Sequence, residues 1–437
     1  MLPSRYLLIV VSCLVVIGAA SCEAAEPQRR QPKPEPQQLA TADWPAFRGH
    51  DGSGRSAHGT PPTTWGDEQH VRWRAELPGS GSSTPIVVGQ RVFVTCYSGY
   101  QEPDRPAGSP DDLLLHVACL DRESGEVLWQ SSLQPELPEQ ETIREEHGYA
   151  SGSPVADGER VYAFFGKSGV VAFDHAGRQL WRMSVGTETH GWGSGASLML
   201  AGGQLIVNAS VESQRLIALA PATGQQRWEA TEIREAWNTP IATEHGGRSE
   251  LLVAIFEHLV GLDPSTGREL WRCQTDIPWY MAPSMVAGEG VVYALGGRPG
   301  SSLAVRLGGT GEVTSTHRLW TSKKGGNVSS PILHNGHLYW MHDNLGIAYC
   351  ANAQTGEVVY QERIDGASQV YGSPVLAAGR IYYPSRDGKV FVVAAEPKFR
   401  LLATNTLGER AVWNASPAVS GNLLLLRNNR QLYCLGE

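Results

Sequence analysis

The residues best suited to chemistry stand in short stretches that each precede a recurring Ser-Pro or Thr-Pro step. These stretches combine aromatic rings, imidazoles and amides with few carboxylates. Aromatic residues with a few polar groups in a concave site are the usual composition of a ligand or peptide pocket. An alternative stays open, in which the same side chains fill the space and bond to one another. The candidate binding residues are His147, Tyr149, His190, Trp192, Trp237, Asn238, Trp279, Tyr280, Asn327, Tyr371, Trp413 and Asn414.

The cysteines do not indicate a metal or redox centre, because the chain has neither a CxxC motif nor two adjacent cysteines. Cys119, Cys350 and Cys434 share one position of a repeat that small residues fill elsewhere. A free cysteine packs as a small hydrophobe, so we expect a packing role. Cys96 and Cys119 could face each other on neighbouring strands and form a disulfide after export, or remain free thiols.

A repeat positions the candidate residues. Each unit starts with the Ser-Pro-like step, continues as a strand, turns at glycine and returns as a second strand, which predicts an antiparallel pair. The Pro of the step, or Leu in the third unit, stands at positions 85, 154, 198, 240, 283, 331, 374 and 417. The first interval is 69 residues and the others are 42 to 48. A fixed period of this length is typical of propellers and solenoids.

The second half of each unit resembles the stretch from Leu262 to Trp271, in which an Asp and a Gly form a turn before a strand that carries Trp. A large aromatic residue at one repeat position can pack between neighbouring units. We therefore expect a structural role in docking one unit against the next. The residues at this position are Trp73, Trp129, Trp181, Trp228, Trp271 and Trp320.

The two ends of the chain share one unit. The chain stops after the half-unit that includes Leu432 to Leu435, and a Trp strand without a preceding partner stands at His70 to Trp73. The sequence therefore predicts an all-β fold, an eight-bladed β-propeller of four-stranded antiparallel blades. The N-terminal strand completes the last blade, which leaves no unpaired edge at the closure.

The N-terminal residues predict export. Residues 1–22 have a short basic start and an apolar run that is short for a membrane span, which indicates a signal peptide. The sequence Ala19-Ala20-Ser21-Cys22 resembles a lipobox, with Cys22 as the lipidated residue; ordinary cleavage near Ala20 is the alternative. Residues 23–43 are rich in Pro and Gln and are predicted to be a disordered linker, and residues 44–437 a single propeller domain. The net charge of −8 and the absence of a long basic run argue against nucleic-acid binding.

These units resemble the pyrroloquinoline-quinone (PQQ)-like, tryptophan-docking propeller repeat from about Trp44 to the end of the chain. The sequence from Trp44 to Gly49, followed by Asp51-Gly52-Ser53-Gly54, is similar to the opening segment of exported propellers of this type. The resemblance implies one of two groups. One is the quinoprotein alcohol dehydrogenases, and the other is the non-enzymatic lipoprotein propellers of outer-membrane β-barrel assembly.

The dehydrogenases require Ca²⁺, a catalytic Asp and, over the cofactor, two adjacent cysteines. The stretches before the Ser-Pro steps offer only Glu145, Glu146 and Glu235 as carboxylates. We therefore expect no catalytic residue, no metal and no cofactor, with PQQ and Ca²⁺ as the alternative.

The resemblance to the second group implies a monomeric scaffold that binds protein or peptide partners. It would be exported to the periplasmic side of the envelope and held by a lipid anchor at the outer membrane. The alternatives are a PQQ-dependent dehydrogenase and a carbohydrate- or polymer-binding propeller that uses the aromatic residues.

Overall fold

In the computed structural model, which describes residues 39–144, 147–408 and 411–437, the strands form eight sheets of at least four strands. The first four blades are Ile86–Val88, Arg91–Ser98, Leu114–Asp121, Val127–Leu133; Val155–Ala156, Arg160–Phe164, Val170–Asp174, Gln179–Met183; Met199–Ala201, Gln204–Ala209, Arg215–Leu219, Gln226–Ala230; and Ile241–His245, Arg248–Ile255, His258–Leu262, Glu269–Gln274. The others are Val286–Gly288, Val291–Gly296, Ser301–Arg306, Arg318–Ser322; Ile332–His334, His337–Met341, Ile347–Asn352, Val358–Arg363; Val375–Ala377, Arg380–Pro384, Lys389–Ala394, Leu401–Thr406; and Ala418–Ser420, Leu423–Arg427, Gln431–Leu435, Val71–Glu76.

These four strands pair antiparallel within each blade, so the predicted all-β, eight-bladed propeller is confirmed. The outer strand of the eighth blade is Val71–Glu76, which pairs with Gln431–Leu435 and places Trp73 opposite Cys434. The described ranges also contain short helices, Pro110–Asp112, Gly166–Ser168, Ser210–Ser213 and Thr314–His317. None of the helices in these ranges could span a bilayer.

The predicted signal peptide, the lipidation residue Cys22 and most of the predicted linker lie outside the described residues. The last residue of that linker, Asp43, belongs with the propeller. Its side chain is buried and accepts a hydrogen bond from the amide of Gly89, in the first turn of blade 1.

The N-terminal segment from Trp44 to Ser56 crosses the channel at the end away from the Ser-Pro steps. Trp44 forms a bridge with Val87 in blade 1, and Arg55–Ser56 pairs in parallel with the first strand of blade 7. Arg48 is fully buried between these contacts and donates to the carbonyls of Ser53 and Pro331. Burial lowers the pKa of the Arg48 guanidinium to about 9. This segment, hereafter the N-terminal plug, closes one end of the channel.

The Trp strand of most blades docks on the turn of the next blade. Trp228, for example, donates from Nε1 to the carbonyl of Pro264 at 3.1 Å, and Gly267 lies against its ring. A Cβ at Gly267 would stand 2.4 Å from the indole, and the φ of +73° also favours glycine. The same hydrogen bond to a turn carbonyl of the next blade is made by Trp73, Trp129, Trp181 and Trp320.

Trp271 is the exception among the predicted docking residues. Its Nε1 donates to the buried carboxylate of Glu250 within its own blade at 2.7 Å. The next turn is not available, because Gly311–Glu312 pairs in parallel beside the Trp271 strand as a fifth strand. Glu250 also accepts from Arg248 and from the amide of Gly308, so its charge is compensated.

The seam between blades 7 and 8 uses a residue from outside the repeat. Blade 7 has Ala403 where the other blades carry Trp or Tyr. Trp65 lies in this seam, where its ring stacks on Tyr382 at 6.3 Å and its amide donates to Asn405. The N-terminal segment therefore replaces the missing docking aromatic.

Cys96 and Cys119 are free thiols in the structure, and both are buried. They do not face each other, because Cys96 pairs with His116 and Cys119 with Phe93 across the same two strands. Arg427 of blade 8 contacts the Cys96 sulfur at 3.3 Å and donates to the carbonyl of Thr95. Cys96 thus contributes to the seam between blades 8 and 1 rather than to a disulfide.

Replacing Trp228 by Ala tests the docking contact. We expect the free energy of unfolding to fall by about 3 kcal/mol, because a buried ring and its hydrogen bond are lost. Trp279→Ala is the control, since Trp279 is 38% exposed and should change stability little. Equal losses in urea denaturation of the two variants would contradict the docking role.

Candidate binding site at the channel mouth

A ring of hydroxyl groups joins the blades around the channel. In seven of the eight blades the backbone amide of the ring residue donates to the hydroxyl oxygen of the ring residue in the next blade, at 2.8 to 3.0 Å. The eight residues, hereafter the hydroxyl ring, are Thr84, Ser153, Ser197, Thr239, Ser284, Ser330, Ser373 and Ser416. Thr84 Oγ1 has no partner among the described residues, and Arg427 joins blades 8 and 1 there by donating to Ser83 and Thr95.

The ring corrects the alignment of the fifth unit. Pro283 stands where the sequence pattern places the Pro of the step, but Ser284 supplies the ring hydroxyl. The hydroxyl therefore follows the proline in this unit and precedes it in others. The hydrogen bond between blades uses the hydroxyl. The position of the hydroxyl is therefore the same in every blade of this chain, whereas the position of the proline is not.

Above the hydroxyl ring lies a cavity of about 530 Å³ at the mouth of the channel. All eight ring residues line it, and Phe47 of the N-terminal plug reaches it from the closed end. Eight predicted binding residues lie in its wall: His147, His190, Trp192, Trp237, Trp279, Tyr280, Tyr371 and Asn414. The channel is therefore closed at one end and concave at the other.

One half of the wall is a continuous row of aromatic rings. Trp192 lies between His147 and Tyr280, at centroid distances of 5.9 and 5.6 Å, and Tyr280 contacts Trp237 at 5.8 Å. The guanidinium of Arg144 stacks over Trp192 at 4.2 Å. The rings contact one another along the wall and leave the cavity open, which favours a binding surface over a filled channel.

The other half of the wall is polar. The guanidinium of Arg386 lies 4.7 Å from the centre of the Tyr371 ring and donates from Nε to Asn414 Oδ1 at 2.9 Å. A second bond from Arg386 to the side chain of Gln369 fixes the guanidinium plane. These contacts hold Tyr371 and Asn414 in place beside the hydroxyl ring.

Four predicted binding residues lie outside the cavity lining. Tyr149 is buried against Tyr97 and donates to the carbonyl of Gln140, so it belongs to the core of blade 1. Trp413 is buried and stacks on Tyr433 at 5.5 Å. Both are packing residues because the loop turns their rings away from the channel.

The other two are asparagines that support the loops, Asn238 through its side chain and Asn327 through its backbone. Asn238 is fully buried and donates to the carbonyls of Ala254 and Met281, which joins the loops of neighbouring blades. Asn327 contributes its backbone amide to the buried carboxylate of Asp343 at 2.5 Å. Both residues stand in loops outside the strands, and tertiary contacts determine where their side chains point.

The cavity also uses residues that the sequence pattern did not single out. Arg144 and Arg298 add positive charge at the rim, and Phe47 adds an apolar floor. Neither arginine forms an ion pair within the described part of the chain. The recurring Ser or Thr before the Pro is the sequence signal for the hydroxyl ring, beyond the strand start that it also marks.

The described side chains of the mouth include few of the oxygen ligands that a calcium-bound quinone requires. Calcium takes about six to eight oxygen ligands, carboxylates prominent among them. Glu235 is the carboxylate among the described lining residues, and Glu145 and Glu146 lie outside the described residues. The described residues contain no group of three His, Cys, Asp or Glu that could hold a metal ion.

A buried carboxylate supports the loop that carries His190 and Trp192. Glu212 lies in the helix Ser210–Ser213 and is 1% exposed. Ser194 of this loop donates to Glu212 Oε1, and Oε2 has no partner within the described residues. Burial raises the pKa of Glu212 from its ordinary 4.5 to about 7, and the nearby Glu139 carboxylate adds to the rise.

Replacing Glu212 by Gln tests this effect on stability. Between pH 4.5 and about 7 the folded state binds the proton more tightly than the unfolded state. The contribution of Glu212 to the stability of the wild type should therefore be greatest below this window and fall by up to about 3 kcal/mol as the pH rises through it. Gln carries no titrating group, so the free energy of unfolding of the variant should lack the fall that deprotonation of Glu212 causes. Identical pH slopes in denaturation experiments would refute the assignment.

Comparison with known proteins is consistent with the fold. A family model described as outer membrane protein assembly factor BamB matches residues 115–362. No curated protein matches the chain. BamB from Moraxella catarrhalis is similar in structure, with a TM-score of 0.59 and 14% identity, over 84% of this chain and 97% of that one.

Two other solved structures share the architecture. Quinohemoprotein alcohol dehydrogenase from Comamonas testosteroni has a TM-score of 0.62 and 11% identity, over 90% of this chain and 80% of that one. The computationally designed Ika8 protein has a TM-score of 0.57 and 12% identity, over 83% and 98%. At these identities the structural matches establish the fold alone. The family match covers more than half of the residues, and the chain therefore belongs to the family described as outer membrane protein assembly factor BamB.

Proposed function

We propose that this protein is a non-catalytic propeller scaffold of the cell envelope that binds protein or peptide segments in the channel mouth. The observation that carries the proposal is the open cavity with an aromatic half and a polar half. A peptide needs apolar surface for its side chains and polar groups for its backbone, and the two halves supply both. Membership of a family named for outer membrane protein assembly supports protein partners in the envelope.

The exposed Trp279 is the natural contact for such a segment. Its ring is 38% exposed and packs edge-on against Tyr280 at 6.5 Å, so it presents an aromatic face at low conformational cost. Exposed aromatic residues that border a concave surface are typical hot spots of protein recognition. Arg144 and Arg298 add charge at the same rim.

The scarcity of carboxylates in the lining supports binding over quinone catalysis. A dehydrogenase would need oxygen ligands for Ca²⁺ beside the quinone, whereas the mouth offers hydroxyls, aromatic rings and cations. The aromatic rings would also suit a carbohydrate or another polymer, which makes such a ligand the second candidate.

In the proposed function, the protein acts as an exported monomer on the periplasmic side, anchored to the outer membrane through Cys22.

Peptide binding can be measured with short peptides tiled across an outer-membrane β-barrel protein. We expect some peptides to bind in fluorescence anisotropy, and Trp279→Ala to weaken this binding about tenfold. Leu128→Ala is the control, because Leu128 is exposed on the outer edge of blade 1, away from the cavity.

Equal effects of Trp279→Ala and Leu128→Ala would contradict binding at the mouth. Calorimetric titration with PQQ and Ca²⁺ together gives a second check. Tight binding that depends on Ca²⁺ would overturn the scaffold proposal in favour of a quinoprotein.

The anchor has its own experiment. Metabolic labelling with a fatty-acid probe should label the wild-type protein and not Cys22→Ala, because the acyl chain is attached to the Cys22 residue. Labelling that is the same in both would show that Cys22 is not the anchor.

A further inference from the structure

The hydroxyl ring has hydrogen-bond donors that the described residues do not use. Seven of its hydroxyl oxygens accept a backbone amide of the preceding blade. Each hydroxyl also has a proton to donate. Within the described part of the chain none of these hydroxyls donates a hydrogen bond, and Thr84 Oγ1 has no partner at all.

These hydroxyl donors are buried and lie together on the floor of the mouth. The exposed fraction of the ring residues runs from 1% at Thr84 to 7% at Thr239, and all eight line the floor of the mouth. A buried hydroxyl without an acceptor is costly, and native structures satisfy nearly all such groups. The ring therefore presents eight hydroxyl donors to the cavity, and a ligand that carries hydrogen-bond acceptors can use them.

The surrounding charges favour a negatively charged acceptor. Arg144 and Arg298 line the rim without an ion pair among the described residues, against the single carboxylate of Glu235. Hydrogen bonds to an ionised acceptor are about twice as strong as those between neutral groups. An oxyanion thus suits the floor better than an amide carbonyl.

The shape of the cavity limits how such a group can enter. Phe47 and the rest of the N-terminal plug close the channel below the ring. A chain could not thread through this floor, so only an end of a chain or a side chain can reach the hydroxyls. The aromatic wall above would then contact the residues that follow.

We propose that the hydroxyl ring binds the terminal carboxylate of a peptide that enters the mouth end-on. This inference rests on the proposed function, because it names the part of the peptide ligand that the floor recognises. The ring hydroxyls donate to the carboxylate oxygens, the rim arginines attract the charge, and the aromatic wall holds the preceding residues. Carboxylate is the shared chemistry of a C-terminus and of Asp or Glu side chains, and the experiment separates these sources.

The test uses N-acetyl-trialanine as the free acid and as the C-terminal amide, titrated against the full chain by ligand-observed NMR. We expect the acid to bind at least about tenfold more tightly than the amide, as hydrogen bonds to a charged group imply. A third probe, N-acetyl-alanyl-aspartyl-alanine amide, has its carboxylate on a side chain and should bind more weakly than the acid.

Thr84→Val gives a clean variant of the ring. Thr84 Oγ1 accepts no amide, so the substitution preserves shape and leaves no backbone donor without its partner. We expect the preference for the acid over the amide to fall about threefold. Thr404→Val, at an exposed position on the outer strand of blade 7, is the matched control and should leave the preference unchanged.

Each other outcome overturns the inference in a distinguishable way. Equal binding of the acid and the amide would refute the carboxylate site and leave the mouth as a peptide-binding surface. Equal binding of the acid and the aspartyl probe would refute the end-on terminus. If neither trialanine probe binds while the tiled peptides do, the carboxylate site is wrong and the proposed function stands. If the tiled peptides also fail, both are wrong.

Discussion

The amide-to-hydroxyl hydrogen bond between neighbouring blades is the interaction on which the geometry of the channel depends. It repeats from Thr84 to Ser416 and fixes the start of each first strand at the same height around the axis. The loop before each ring residue must therefore end at the cavity. These loops are held by individual contacts such as Asn238 to Met281 and Ser194 to Glu212, which differ from blade to blade, so each loop can present its own side chains on a rigid scaffold.

The Trp contacts at the periphery complement this inner ring. Five of them share one geometry, an indole N–H on a turn carbonyl with a glycine beneath the ring. The two departures show what the geometry requires. Where the turn is displaced, Trp271 bonds to Glu250 instead, and where the blade lacks its Trp, Trp65 fills the seam from the N-terminal segment. Each departure is compensated locally, so the circle of blades still closes.

The sequence predicted the fold well because the repeat determines it. Period, turn glycines and the Trp position are local features that recur, and every recurrence supports the same architecture. The site was predicted less completely. Loop membership follows from the repeat, which is why His190, Trp192 and Tyr280 were placed near the channel. The direction of a loop side chain depends on packing, which turned Tyr149 and Trp413 into the core. The plug residue Phe47 has no repeat to predict it, and Trp65 was visible only as a Trp outside the pattern.

We propose that function lies in the channel mouth and not in the repeat motif. Site-specific photo-crosslinking tests it most directly, with a photoreactive residue at position 279 in the mouth or at position 128 on the outer edge of blade 1. Both positions are exposed, so reactivity with solvent is comparable. With an outer-membrane β-barrel polypeptide as the partner, we expect crosslinks from position 279 and few from position 128. Crosslinks mainly from position 128 would contradict the account.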